Sequence, residues 1–344
     1  EVKKMKKKIV SALLCVAMIA TMVTGCGGSK SSSTSGNADS TAKQFEINAA
    51  IAANPPALDP HTVNANVTGA IGIHIYEALF QMDENYEPQP VLAESYEMSD
   101  DGKEYTIKLR QGVKFHNGDE MKADDVVASM NRWMELSPKA KTLIGGSVFE
   151  KVDDYTVKLT VNEPSSDIIM VLASPIQFAA IYPKSVVDSA SDEGVKEYIG
   201  TGPYKVAEWK QDQYVKLEKN EDYQPAEGKS SGLAGAKNAQ ADTITFNIVT
   251  DTATRIAGVQ NGQYDIAEDI PADQYKDLAT DKNLTMDVRS GGTLNMFLNT
   301  TEGVMADEKV RQAALAALNC DDILMASYGD ADLYKLNAGW CNPD

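Results

Sequence analysis

The chain is short of the residues that most catalytic and metal-binding sites use. Its 344 residues hold only three histidines and four cysteines. The histidines, His61, His74 and His116, are well separated, and none has a Ser, Cys or acidic pair at a spacing that would assemble a nucleophile and its base. No HExxH or P-loop pattern occurs, and no CxxC pair offers zinc-finger spacing. These shortages argue against an enzyme, a resident metal or a cofactor. Positive charge is also scarce. With 32 Lys and Arg against 50 Asp and Glu, the net charge is −18, which argues against a nucleic-acid partner. Long apolar runs are missing too. The longest, residues 9–23, is 15 residues, short of the ~20 that span a bilayer as a helix.

What is present begins with that run. Lys6, Lys7 and Lys8 precede it, and Val23-Thr24-Gly25-Cys26 follows it. A basic start, a short apolar centre and small residues before a cleavage point make a secretory signal, with Met5 as a candidate initiator. The stretch VTGC resembles a lipobox, the signal for attaching diacylglycerol to a bacterial lipoprotein. The resemblance implies that residues 1–25 are removed and that Cys26 carries the lipid. Residues 26–44 are nearly all small, polar or charged, which predicts a flexible tether. Of the cysteines left beyond Cys26, Cys320 and Cys341 are free to pair outside the cytoplasm, or Cys320 is a buried thiol at a helix end; the spacing does not choose.

The body reads as mixed α and β. Residues 45–52 form a short strand. Residues 69–80 place Ile71, Ile75, Ala78 and Leu79 on one side of a helix. Residues 104–110 and 154–161 alternate cleanly, Tyr105, Ile107 and Leu109 inward on one and Tyr155, Val157, Leu159 and Val161 on the other. Between them residues 123–134 carry a helical apolar stripe through Val126, Val127, Met130, Trp133 and Met134. Further strands are predicted at 204–209, 214–219, 242–249, 264–267 and 295–299. Helices are predicted at 253–260 and 307–319, the latter capped by Asp307 with Val310, Ala314, Leu315 and Leu318 inward. Hairpins mixed with helices exclude an all-β fold and an uninterrupted βαβ series.

Several short motifs then recur in a familiar order. Leu58-Asp59-Pro60 is followed by Tyr76-Glu77-Ala78-Leu79-Phe80, Leu92-Ala93-Glu94, Leu109-Arg110-Gln111-Gly112-Val113 and Ala123-Asp124-Asp125-Val126. Gly200-Thr201-Gly202-Pro203-Tyr204, Asn220-Glu221-Asp222-Tyr223, Gly262-Gln263-Tyr264-Asp265 and Val310-Arg311-Gln312-Ala313 follow. In this order over residues 45–330 the chain resembles the extracellular solute-binding proteins, family 5, of bacterial ABC importers for oligopeptides, dipeptides and nickel. The resemblance implies a two-lobed fold of the periplasmic-binding-protein type II kind, α/β in the broad sense. Residues 45–76 and 200–290 would build the first lobe, residues 77–199 an extra subdomain within it, and residues 291–344 the start of a second lobe. The family's second lobe runs on well beyond such a point, so the chain is expected to be a C-terminally truncated member. Two other departures stand out: Lys122 replaces the usual helix-capping Thr or Ser, and the loop over residues 226–240 is longer and richer in Ser and Gly.

The resemblance also implies the function: a lipid-anchored receptor on the extracytoplasmic face of the cell membrane, expected as a monomer, that captures peptides and hands them to ABC permease subunits. The alternatives are another solute in the same fold (a nickel chelate, an oligosaccharide or an opine) or a peptide-sensing lipoprotein outside transport. Ligand contacts are expected from an edge strand at residues 62–67, through Asn64 and Asn66, and from a strand at residues 292–299, through Thr293 and Asn295. No catalytic or metal-binding residue is expected. His116 reads as a turn histidine.

Overall fold

The computed structural model describes residues 44–191, 193–289 and 294–336. Residues 1–43, with the expected signal, lipid-bearing Cys26 and nearly all of the tether, lie outside them, as do Thr293 and Cys341. In chain order the elements are β1 (Glu46–Ile51), α1 (Asn66–Ile75), β2 (Phe80–Met82), β3 (Pro88–Pro90), β4 (Ala93–Met98) and β5 (Glu104–Leu109). Next come α2 (Ala123–Leu136), α3 (Pro138–Ile144), β6 (Val148–Asp153), β7 (Thr156–Thr160), α4 (Ile168–Leu172) and α5 (Lys184–Asp188). The rest are β8 (Tyr204–Lys210), β9 (Tyr214–Lys219), β10 (Thr243–Ile248), α6 (Thr252–Gln260), β11 (Ile266–Ala267), α7 (Tyr275–Leu278), α8 (Glu308–Ala317) and α9 (Cys320–Tyr328).

Period-two alternation builds two main sheets, each over its own core. In the first, ordered β11-β1-β10-β9-β8, β1 runs parallel to both neighbours and the remaining pairs are antiparallel. The pairing of Glu46 with Thr243 through Ile51 with Ile248 ties the start of the described body to a strand almost 200 residues later. Val215 and Leu217 of β9, Ile244 and Phe246 of β10, and Ile71 and Ile75 of α1 share one core. The second sheet, β4-β5-β7-β6, is antiparallel throughout. Tyr105, Ile107 and Leu109 alternate inward on β5, and Val157 and Leu159 on β7, to meet Val126, Met130 and Trp133 of α2. Tyr155 precedes β7 and is half-buried, its hydroxyl donating to Glu120.

Helix α2 starts without the hydroxyl cap, because a lysine side chain has no acceptor to offer. The Asp125 carboxylate reaches back instead to the Lys122 N–H at 2.8 Å and also accepts from the Lys184 N–H at 2.7 Å. That is half of a capping box, and it fastens α5 to the helix start.

Four expectations need correction. The helix expected over 69–80 is displaced to Asn66–Ile75. It stops because the Ile75 carbonyl accepts from the Gly202 N–H, and the chain over 200–202 lies against the helix end. A Cβ on Gly200 would come within 2.1 Å of the Ile75 oxygen, so only glycine allows this approach. Second, the edge strand expected over residues 62–67 is a turn running into the first residues of α1. Asp59 organises that turn, its carbonyl accepting from the N–H groups of Thr62 and Val63. Third, residues 294–299 are irregular, since no strand among the described residues lies beside them to form a ladder. Fourth, Val310, Leu315 and Leu318 are exposed by 39–55 % rather than inward, because no core element among the described residues covers that face of α8. Helix α8 ends at Ala317 because Asn319 caps α9 through the Asp322 N–H. Cys320 opens α9 as an exposed free thiol, not a buried one.

Three chain segments are joined by a buried ion pair. Arg132 of α2 donates to Asp59 at 2.7 Å, and the carboxylate also accepts from the Tyr182 hydroxyl and from the N–H groups of His61 and Val195. Burial pushes the Asp59 carboxyl up, but Arg132 and its other partners outweigh that and hold it below the usual carboxylate value. His61, fully buried beside it, donates from Nε2 to the Ala180 carbonyl and accepts from Arg132 at Nδ1. A second buried acid, Glu77, accepts from Thr201 and Tyr223, with the Lys237 ammonium 3.8 Å away. His116 clamps the same crossover, donating to the Gly202 carbonyl and accepting from the Gly200 N–H.

Two outcomes follow from these buried charges. Arg132→Met leaves the Asp59 carboxylate buried without its cation and should cost about 3–5 kcal/mol, read as a lower urea midpoint; Asp59→Asn added to it should recover part of that loss. The second concerns acid. Burial pushes His61 down to about 3, and His74 and His116 down to about 4. All three fall below the ordinary ~6.5, so the unfolded chain binds protons that the folded chain refuses. Stability is therefore complete above pH ~6.5 and falls as pH drops toward 4, by about 1.4 kcal/mol per unit for each histidine. Urea titrations at pH 7.5 and 5.0 should show this drop. It should shrink in His74→Gln, which removes one such group.

Candidate ligand-binding site

The turn that Asp59 holds carries its exposed side chains into a cavity of about 240 Å³. Asn64 and Asn66 line one side with Ile73 of α1, and Ile176 and Gln177 line the other. Leu233 completes the lining. The Asn64 and Asn66 amides are exposed and have no hydrogen-bond partner among the described residues, so each presents both a donor and an acceptor. Ala65 at the N-cap of α1 offers no side-chain acceptor, so first-turn N–H groups remain uncapped beside them. The volume is smaller than the ~300–1,000 Å³ of sites for whole drug-sized ligands.

Gln177 is a cavity-lining side chain that sequence reasoning missed. Its backbone has a positive φ of 50°, uncommon for a residue with a side chain. Three contacts hold it there: Nε2 donates to the His61 carbonyl, Oε1 accepts from the Ser137 hydroxyl, and its carbonyl accepts from the Trp133 indole N–H at 2.8 Å. Its carbonyl and amide are thus fixed by α2 and by the Asp59 turn, and the stored strain falls at the edge of the cavity. The available signal was one amide in a run otherwise apolar and small, residues 168–182.

Of the four expected contacts, the structure brings Asn64 and Asn66 together in one cavity. Asn295 is exposed and does not line it, and Thr293 lies outside the described residues.

A larger, more polar cleft of about 840 Å³ lies between the β2–β3 hairpin and residues 225–235. The Arg110 guanidinium on its wall is already committed to the carbonyls of Val91, Gln224 and Pro225. Among the described residues no group of three or more His, Cys, Asp or Glu could hold a metal ion, and no helix is long and apolar enough to cross a membrane. The run Gly228-Lys229-Ser230-Ser231-Gly232 has the letters of a nucleophile elbow, GxSxG. It lies in a loop between β9 and β10, without the strand-to-helix turn that makes such a serine reactive.

Residues 87–334 match the sequence profile of the bacterial extracellular solute-binding proteins, family 5 Middle. The glutathione-binding protein GsiB of Salmonella paratyphi A is 34% identical over 288 residues, covering 82% of this chain and 54% of GsiB. The periplasmic binding protein DppA of Helicobacter pylori, solved with the peptide STSA, is 26% identical with a TM-score of 0.68, over 83% of this chain and 59% of DppA. The oligopeptide-binding protein AppA of Bacillus subtilis, solved with a nonapeptide, is 28% identical with a TM-score of 0.65, over 83% of this chain and 57% of AppA. The chain spans about half the length of the curated relatives it matches. Its mixed α/β architecture is the type II periplasmic-binding-protein fold, and the chain belongs to the bacterial extracellular solute-binding proteins, family 5.

Proposed function

We propose that this protein is the solute receptor of an ABC importer, that it captures di- and oligopeptides without chemical change, and that it delivers them to permease subunits. The observation that carries the reading is the pair of uncommitted amides, Asn64 and Asn66, at the mouth of a partly apolar cavity beside a rigidly held Gln177. A peptide backbone alternates donors and acceptors, and side-chain amides match both. Apolar walls accept side chains with little demand for one shape. The names of the relatives point the same way: a glutathione-binding protein, and binding proteins solved with a tetrapeptide and a nonapeptide. None of the three histidines lines the cavity, and the rings of His61 and His116 are committed to backbone groups, which fits binding better than catalysis.

In this reading the first lobe comprises residues 45–76 and 200–290, residues 77–199 form its inserted subdomain, and a second lobe beginning near residue 291 closes on the ligand. Cys26 carries the lipid, and the polar tether gives a monomeric receptor room to meet its permease on the outer face of the membrane.

Calorimetry on the whole protein as its cells make it should show micromolar or tighter binding of di- to pentapeptides. Asn64→Ala with Asn66→Ala should weaken that binding about tenfold, the effect of losing one or two net hydrogen bonds. Undiminished peptide affinity in that variant would remove the cavity from consideration. Binding of a nickel chelate, an opine or an oligosaccharide in place of any peptide would overturn the choice of solute. For the anchor, Cys26→Ser should move the protein from the membrane fraction to the soluble secreted fraction, read by fractionation and by loss of the lipid mass.

A further inference from the structure

One wall of the cavity comes from a part of the chain remote from the rest. The other lining residues belong to the Asp59 turn, to α1 and to Pro175-Ile176-Gln177; Leu233 alone arrives from residues 226–240. That loop is rich in Gly, Ser and Ala, a composition that would predict slackness, yet it is held at many points. The Leu233 N–H donates to the Met82 carbonyl of β2 at 2.9 Å. Ser231 and Ala234 exchange two backbone hydrogen bonds, and the Ser231 hydroxyl accepts from the Glu84 N–H. Gly232 has a φ of +55°, and a Cβ there would come within 2.5 Å of the Asp83 backbone, so glycine is required for the loop to seat on the β2–β3 turn. Ala226 and Ala234 pack on Val91. Beyond them Lys237 donates to Gln81 and stands 3.8 Å from the buried Glu77 carboxylate.

A tip anchored on both sides holds its side chain in a defined place. Leu233 is half-buried, facing a cavity to which Val63, Ile73 and Ile176 also contribute apolar side chains. We propose that Leu233 is a specificity-determining residue: it closes an apolar subsite and selects peptides that place an aliphatic side chain there. The proposal rests on the reading of this cavity as the solute site. Leucine fits the role because its rotamers are few and its surface is wholly apolar. A ligand methylene packed against it gains burial without a directional requirement, whereas a polar ligand side chain would lose its hydration with no hydrogen-bonding partner from Leu233. The amides of Asn64 and Asn66 act on the peptide backbone and do not discriminate side chains. Leu233 supplies the discrimination that they lack.

The test is calorimetry on the whole protein with two probes, trileucine and trialanine. Leu233→Ser should weaken trileucine by about tenfold, the range found when apolar contact is removed from a pocket, and change trialanine by less than about twofold on the same reasoning. Leu233→Trp, which fills the subsite, should also weaken trileucine and spare trialanine. Asn64→Ala provides the reference and should weaken both probes alike. If both Leu233 variants leave the two affinities unchanged while Asn64→Ala weakens both, the assignment of Leu233 is wrong and the cavity stands. If Leu233→Ser lowers both probes equally, selection by Leu233 is also excluded. If neither position alters either affinity, the cavity is not the solute site and the assignment falls with it.

Discussion

The Asp59 carboxylate has almost no access to water, and the arrangement of the cavity side chains follows from satisfying it. A lone buried carboxylate would be costly by several kcal/mol. Here it meets the Arg132 guanidinium, the Tyr182 hydroxyl and two backbone N–H groups, drawn from α2 and from residues 61, 182 and 195. The bonds accepted by the Asp59 carbonyl then shape the turn that displays Asn64. His61, neutral because burial forbids its charge, passes the constraint on: its ring holds the Ala180 carbonyl and its own carbonyl holds the Gln177 amide. The Asn64 side and the Gln177 side of the cavity are therefore both positioned from one buried anion.

A second fixed point lies where the chain crosses between the two cores. Gly200 and Gly202 press on the last turn of α1, His116 bonds to both, and Glu77 with Thr201 and Tyr223 seals the junction. The crossover is stiff for a specific reason: its glycines allow backbone to touch backbone, and the side chains of His116, Glu77 and Thr201 each have a named partner. The two sheets thus share polar, directional contacts where their apolar cores separate, which fixes orientation as well as cohesion.

Much of this was legible in the sequence where a single period governs. Alternation located β5, β9 and β10 to within a residue, and the apolar stripe located α2, because these segments bury one face in a core that is present. Legibility failed where a distant segment decides. Nothing local in residues 69–80 announces that Gly202 will take the Ile75 carbonyl and end α1 there. The run Asn295–Asn299 has strand composition but no neighbouring strand among the described residues. The stripe on α8 is read correctly as amphipathic and yet stays exposed, because amphipathicity states what a helix needs and not whether it is supplied. For the candidate cavity, the family resemblance put forward Asn64 and Asn66, which line it, whereas Gln177 and Leu233 enter only through the contacts that carry their loops to the same place.

The four-stranded sheet has a further consequence for how the protein meets other chains. Its two outer strands, β4 and β6, have edges where a foreign strand could add by backbone hydrogen bonding, although on β6 the Asn131 amide already takes the Phe149 N–H and carbonyl. Both edges are interrupted. Register breaks fall between Ala93 and Ser95 on β4 and between Lys151 and Asp153 on β6. Charged side chains, Glu94 and Glu97 on one and Glu150 and Lys151 on the other, stand exposed along them. A broken register denies an incoming strand a continuous row of partners, and the charges would have to lose water to admit it. The sheet is thereby kept at four strands, and its polymerisation is opposed by the same irregularities that a search for ideal alternation would pass over as defects.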